Sequence, residues 1–199
     1  MSTATKLPAG AVFPAMSWPQ VGGGTIDPWR ASGWRMLVVY RGKHCPLCKR
    51  YFKTLDGMLD EFRAADITVM AVSADPKERA QADVSEEGWR FPVGYDLTTD
   101  QMRQLGLYIS EPRSPQETDR PFAEPGVFVI NPEGKVQIVD ISNAPFARPD
   151  LAGILQGLKF CGRSSTRFAA RRTELRFQHA VRGVARSASS CGSRSPKGL

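Results

Sequence analysis

The segment that most restricts this chain is residues 36–50. Met36-Leu37-Val38-Val39-Tyr40 is an unbroken apolar run. Arg41-Gly42-Lys43-His44 is a short polar loop, and Cys45-Pro46-Leu47-Cys48 comes directly after it. An apolar run of this kind predicts a strand buried on both faces. Proline suits the first turn of a helix, where its missing N–H would have had no partner, so a helix is expected from about Pro46. Phe52, Leu55, Leu59 and Phe62 recur at helical spacing and define one buried face. The strand therefore delivers Cys45 to a helix N-terminus. Unpaired backbone N–H groups and the positive end of the helix dipole favour thiolate over thiol there. Arg41, Lys43, Lys49 and Arg50 add positive charge that water partly screens. One turn later, Cys48 comes within disulfide range of Cys45. The pattern predicts a nucleophilic Cys45 that attacks a disulfide or an oxidised sulfur, and a Cys48 that resolves the product. Cys45 is expected to be the more exposed and the more acidic thiol.

The rest of the chain reads as alternating elements. The first thirty-odd residues are rich in Pro and Gly, and Gly22-Gly23-Gly24 marks a turn in an extended N-terminal segment with room for a hairpin. After the cysteine helix come a strand at Ile67–Val72, a charged helix over 77–87 and a short strand at Phe91-Pro92-Val93. A helix capped by Thr98 or Thr99 then reaches about Leu105. Residues 110–125 hold four prolines and no periodicity, and read as loop. Val127–Ile130 and Val136–Val139 flank the turn Asn131-Pro132-Glu133-Gly134 as a hairpin. A last helix is expected over 149–159, with Leu151, Ile154, Leu155 and Leu158 on one face. Parallel strands with crossover helices and then an antiparallel hairpin predict an α/β domain over 1–160, a central mixed sheet flanked by helices. No repeat of 20–50 residues is visible.

Charge separates this domain from the C-terminal tail. The whole chain carries +7, but residues 161–199 alone carry +8, from eight Arg and one Lys against Glu174, leaving −1 on the first 160. The folded part thus has no basic excess for a polyanion, and any contact with nucleic acid or membrane falls to the tail. The tail is Arg/Ser-rich and is expected to be disordered. Its composition is like that of an organelle transit peptide at the wrong end of the chain, and the abrupt change also fits a shifted reading frame. Leu175, Phe177, Val181 and Val184 are too sparse for a second core, though 167–186 fits a cationic amphipathic helix. No apolar run reaches the roughly 18 residues of a membrane helix. The first 14 residues hold no continuous apolar stretch of the signal-peptide kind, so the expected location is cytoplasmic. In a reducing cytosol a close cysteine pair is more often catalytic or metal-binding than structural.

Other readings of the cysteines are weaker. A zinc site needs four ligands, usually two close pairs, and Cys161, Cys191, His44 and His179 form no second short-spaced pair. No metal or other cofactor is therefore expected. An inert buried pair is a further alternative. His44 is placed to tune the thiolate or shuttle a proton, or else is a solvated loop residue. Cys161 and Cys191 receive no role, and Trp18, Trp29, Trp34 and Trp89 read as packing residues.

The run Val39-Tyr40-Arg41-Gly42-Lys43-His44-Cys45-Pro46-Leu47-Cys48, then an amphipathic helix and Val69-Met70-Ala71-Val72-Ser73-Ala74-Asp75, resembles the peroxiredoxin-like branch of the thioredoxin superfamily. The likeness is to the type of alkyl hydroperoxide reductase and thiol-specific antioxidant (AhpC/TSA), and spans about residues 13–160. Gly126–Val136 looks like the strand–turn–strand that closes that fold. The resemblance implies a thioredoxin-like fold. It also implies that Pro125 matches the cis-proline facing the disulfide in thioredoxins, with a cis Glu124–Pro125 bond. Three positions depart from the family pattern. Gly42 stands where peroxiredoxins carry Thr or Ser, Val38 where they carry Pro, and Pro125-Gly126 where they carry an Arg.

Without those peroxide-polarising groups, the expected function is thiol–disulfide oxidoreduction, with Cys45 and Cys48 catalytic and Arg41, His44, Pro46 and Pro125 supporting. A thiol-dependent peroxidase acting on hydroperoxides is the alternative enzyme, and a redox-sensing binding module the non-enzymatic one. The substrates would be protein disulfides or hydroperoxides. The electron donor would be a thiol reductant of the thioredoxin or glutathione type.

Overall fold

The computed structural model describes residues 6–163, with side chains through Phe160. The elements are β1 (Trp18–Pro19), β2 (Thr25–Ile26), β3 (Trp34–Val39), α1 (Pro46–Gly57), α2 (Leu59–Ala64), β4 (Ile67–Val72) and α3 (Lys77–Glu87). After these come β5 (Val93–Gly94), α4 (Thr99–Gln104), β6 (Ile109–Ser110), β7 (Phe122–Ala123), β8 (Gly126–Ile130), β9 (Val136–Ile141) and α5 (Leu151–Arg163). The main sheet has the order β5-β4-β3-β8-β9. β3, β4 and β5 are parallel, and β8 and β9 are antiparallel additions. This is the expected α/β mixed sheet, with the cysteine-bearing strand–helix unit at its centre.

β3 is central because both its faces are apolar. Met36, Val38 and Tyr40 enter one core with Phe52, Leu55, Phe62 and Leu155, while Leu37 and Val39 enter another with Phe13, Trp18, Met102 and Phe128. Two-residue alternation along one strand thus feeds two layers. Phe52 is fully buried and meets Tyr40, Trp89 and Phe91 with ring centroids 4.9, 4.9 and 5.2 Å away. Phe52→Ala is expected to cost about 3–5 kcal/mol, since it removes a core ring and leaves a cavity. Chemical denaturation of the reduced protein measures this loss.

Several boundaries differ from the sequence expectation. The helix expected to continue through Phe62 breaks at Met58 into α1 and α2. Gly57 weakens the helix there, yet Phe52, Leu55, Leu59 and Phe62 stay on one buried face. Residues 110–125 are not wholly loop, because β6 and β7 form a two-residue antiparallel ladder. The short strand expected at 91–93 is instead Val93–Gly94. Thr98 caps α4 with a capping box closed by Gln101. The turn at Gly22-Gly23-Gly24 joins the antiparallel pair β1 and β2.

The expected domain boundary at 160 falls inside α5, which continues to Arg163. Residues 164–199, most of the Arg/Ser-rich tail, lie outside the described residues. No helix of the described residues is long and apolar enough to cross a membrane.

The Glu124–Pro125 bond is trans, since no cis peptide occurs among the described residues. The chain here passes directly from one ladder to another. The Glu124 N–H donates to the Tyr108 carbonyl at 2.8 Å, and the Pro125 carbonyl accepts from the Ser142 N–H at 3.0 Å. A trans bond keeps this stretch extended, whereas a cis bond would shorten the Cα–Cα step from about 3.8 to about 2.9 Å and turn the chain out of both ladders.

Candidate active site

β3 ends at Val39, and Tyr40 extends it until its N–H reaches the Val72 carbonyl at 3.1 Å. The loop then turns at Gly42, whose φ of +122° is a conformation that side chains rarely adopt. The Gly42 carbonyl accepts the Cys45 N–H at 3.1 Å, and the Lys43 N–H donates to the buried Asp75 carboxylate at 2.7 Å. These two bonds set Cys45 at the N-cap of α1 with Pro46 in the first helical turn. The Cys48 N–H points back and donates to Cys45 Sγ at 3.3 Å.

The two sulfurs are held in opposite states. Hydrogen bonding from the Cys48 thiol lowers the Cys45 pKa, and the Cys48 N–H and the charges of Arg148 and Arg41 act in the same direction. Together they outweigh burial and bring it to about 6. Burial pushes the Cys48 thiol well above its usual value, and its hydrogen bond to Cys45 adds to this, against the opposing pull of Arg148. Cys45 is thus the more acidic thiol, as its helix position leads one to expect. Cys45 is also the less buried of the two, but by very little: Cys45 is 1% and Cys48 0% exposed, both within the core cluster under α1. The surrounding layers close over both sulfurs.

The four cations near the motif in sequence are largely engaged elsewhere. Arg41 pairs with Glu117 at 3.4 Å and Glu124 at 3.3 Å, and its guanidinium lies over the Phe122 ring. Lys43 pairs with Glu86, and Lys49 with Asp83 and Glu87 at 3.0 Å each. Arg50 is exposed. The His44 ring lies against Phe122, with centroids 4.7 Å apart and planes tilted by 59°, and neither ring nitrogen has a hydrogen-bond partner. Burial, helped by Arg41, lowers its pKa to about 4, so it is neutral wherever Cys45 titrates.

The guanidinium that does reach a sulfur is Arg148, one hundred residues further on. Its Nη2 donates to Cys48 Sγ at 3.1 Å, its Nε donates to the Pro145 carbonyl at 2.9 Å, and it lies 5.1 Å from the Tyr51 ring centre. The Tyr51 hydroxyl in turn donates to the Pro149 carbonyl at 3.0 Å. Pro125 lines a narrow crevice with Tyr51, Arg148 and Pro149, so it reaches the edge of this arrangement. Nothing in the sequence marks Arg148, because Ala147-Arg148-Pro149 in a loop before a helix carries no signal of what it touches. Among the described residues no group of three or more His, Cys, Asp or Glu side chains is arranged to hold a metal ion.

This geometry fixes a pH profile. Alkylation of Cys45 by a limiting reagent is expected to rise with pH through a midpoint of about 6 and then level off, because only the thiolate reacts. With a folded-state pKa of about 4, His44 should add no second inflection above pH 5. Peptide mapping across pH 4–9 checks both, and a midpoint above 8 or preferential labelling of Cys48 would contradict the site's electrostatics.

Residues 9–139 match the family model of the AhpC/TSA family. Among solved structures, AhpC of Mycobacterium bovis is 16% identical with a TM-score of 0.67, over 84% of this chain and 98% of that one. A peroxiredoxin-like protein from Aquifex aeolicus is also 16% identical, with a TM-score of 0.67 over 79% and 90%. The bacterioferritin comigratory protein of Xanthomonas campestris, described by its alkyl peroxide reduction activity, is 17% identical with a TM-score of 0.56 over 74% and 90%. No curated protein matches the chain.

Proposed function

The chain belongs to the AhpC/TSA family of thiol-dependent oxidoreductases, and from that premise we propose that it reduces small hydroperoxides through a Cys45–Cys48 dithiol cycle. The observation that carries this reading is the Cys45 sulfur at the N-cap of α1, accepting the Cys48 N–H at 3.3 Å with the Cys48 thiol as its neighbour.

The Cys45 thiolate attacks the nearer peroxide oxygen. The O–O bond breaks, Cys45 becomes a sulfenic acid, and the departing alkoxide or hydroxide takes a proton from water. Cys48 then attacks the sulfenic sulfur, the S–O bond breaks, and hydroxide leaves as water with the Cys48 proton. A small thiol reductant of the glutathione type returns two electrons by exchange with the disulfide.

Burial ranks the substrates. Disulfide exchange needs three sulfurs nearly in line, which a closed Cys45 does not offer to a protein disulfide. Hydrogen peroxide is little larger than water. This order reverses the one expected from the sequence. The thiol–disulfide reading stands second, supported by Gly42 in place of the hydroxyl that would polarise a peroxide. Second-order rate constants for hydrogen peroxide and a protein disulfide, measured in parallel on reduced protein, separate the two. The peroxide is expected to react at least tenfold faster, and a faster disulfide would favour the second reading.

A further inference from the structure

Within that dithiol cycle, the structure points to Arg148 as a catalytic residue of its second half. We propose that its guanidinium, in contact with Cys48 Sγ, stabilises the Cys48 thiolate that attacks the Cys45 sulfenic acid. The inference rests on the dithiol reading and assigns a residue that lies far from the cysteine motif in sequence.

The resolving step has a physical obstacle. Cys48 is fully buried, and burial disfavours its charged form. Yet a thiol is a poor nucleophile, and the sulfur must shed its proton to attack. A cation placed against it removes the obstacle. Arg148 is so placed: Nη2 lies 3.1 Å from Sγ, a charge-assisted hydrogen bond to the sulfur. Its charge is not diverted, because among the described residues no carboxylate forms an ion pair with it. Arg41, Lys43 and Lys49 all have carboxylate partners. The side chain is also held in advance of the reaction. Its Nε is tied to the Pro145 carbonyl, its plane lies against Tyr51, and the Tyr51 hydroxyl fixes Pro149 next in the chain. A donor fixed before charge develops is effective because nothing must reorganise when the charge appears.

In the step, the Cys48 proton leaves with the hydroxide displaced from Cys45 as water, and the new bond is Sγ–Sγ. Arg148 supplies neither atom nor electron. As the disulfide is later reduced, the same contact steadies Cys48 as the leaving thiolate, which directs the reductant to Cys45.

The test separates formation of the sulfenic acid from its resolution. Reduced wild type, Arg148→Ala, Arg148→Gln and Arg148→Lys are mixed with one equivalent of hydrogen peroxide and quenched with a sulfenic-acid trap at increasing times. Arg148→Ala and Arg148→Gln are expected to slow disulfide closure about 100-fold, the usual scale for loss of one preorganised donor, and to slow the first oxidation only a few-fold. Trapped sulfenic acid at Cys45 should accumulate accordingly, and Arg148→Lys should recover part of the closure rate. In a Cys45→Ser background, the midpoint for Cys48 alkylation should move to higher pH when Arg148 is lost, which a purely structural role would not produce. Thermal melts identify any variant that fails to fold, and Arg148→Gln keeps the side-chain length should Arg148→Ala unfold. Closure at the wild-type rate with an unmoved Cys48 profile would overturn the inference and leave the dithiol cycle standing. Sulfenic acid that persists in wild type would overturn the cycle itself, and this inference with it.

Discussion

Cys48→Ser should turn a cycling enzyme into one that reacts once. Cys45 keeps its place at the N-cap of α1, and the backbone N–H of residue 48 still points at its sulfur. The thiolate should therefore consume one equivalent of hydroperoxide. Hydrogen bonding from the Cys48 thiol is the largest contribution lowering the Cys45 pKa, so a serine hydroxyl, a neutral donor of similar size, should preserve most of the acidity. The sulfenic acid then has no neighbouring thiol to condense with. Steady-state turnover with a dithiol reductant is expected to fall at least 100-fold, while the first-equivalent rate falls less than tenfold. Excess peroxide should drive Cys45 on to sulfinic acid. Cys45→Ser should abolish both phases. Turnover in Cys48→Ser within twofold of wild type would mean that an external thiol resolves Cys45.

Gly42→Thr should damage the site, although threonine is the residue type that the peroxiredoxin resemblance leads one to expect at this position. A Cβ at residue 42 would lie 2.6 Å from Asp75 Oδ2 and 2.8 Å from its Cγ and Oδ1, closer than real atoms approach. The backbone there has φ +122°, which a β-branched residue adopts only under strain. Asp75 cannot simply move aside. It is buried, its carboxylate holds the Lys43 N–H, and its own N–H is tied to the Ser73 hydroxyl at 3.3 Å. Backbone strain and overpacking together should cost about 2–6 kcal/mol. The turn that presents Cys45 should open, raising the alkylation midpoint. Asp75→Ala removes the clash but also the bond to the Lys43 N–H, so Gly42→Thr in an Asp75→Ala background, compared with Asp75→Ala alone, reads the strain. Thermal melts and the alkylation profile read the two components separately. A Gly42→Thr protein of unchanged stability and faster peroxide reduction would contradict this account, because the missing hydroxyl would then be a vacancy rather than a place the Asp75 carboxylate fills.

How much of the fold and site was legible in the sequence depended on whether the signal was local. The run from Met36 to Cys48 declared a strand, a loop and a helix start, because apolar run length, Pro46 and the periodic Phe52, Leu55, Leu59 and Phe62 are all short-range features. The break at Met58 was not legible, since the apolar face continues across it unchanged. Neither was the β6–β7 ladder, which two residues on each side cannot announce. Charge misled most. Arg41, Lys43 and Lys49 are adjacent to the cysteines in sequence but are taken up by Glu117, Glu124, Glu86, Asp83 and Glu87, carboxylates 34 to 83 residues away in the chain. The cation that reaches Cys48 comes from the loop between β9 and α5, and only closure of the tertiary structure brings it there. The same closure buries both cysteines almost equally, a depth that a helix-start argument does not set. The departure at Gly42 was visible from the first, but its cause, the carboxylate of Asp75 against the glycine, was not.

In the proposed cycle Cys45 and Cys48 exchange a thiolate–thiol pair for a disulfide within one helical turn. Fully reduced protein treated with one equivalent of hydroperoxide at neutral pH, alkylated and digested with trypsin, yields a peptide of residues 44–49 that contains both cysteines. The account predicts that mass spectrometry finds this peptide lighter by two hydrogens and unalkylated, and that dithiol reduction restores two alkylation sites. Oxidation that stops at a Cys45 sulfenic acid with Cys48 alkylated, or both thiols alkylated as before, would contradict it.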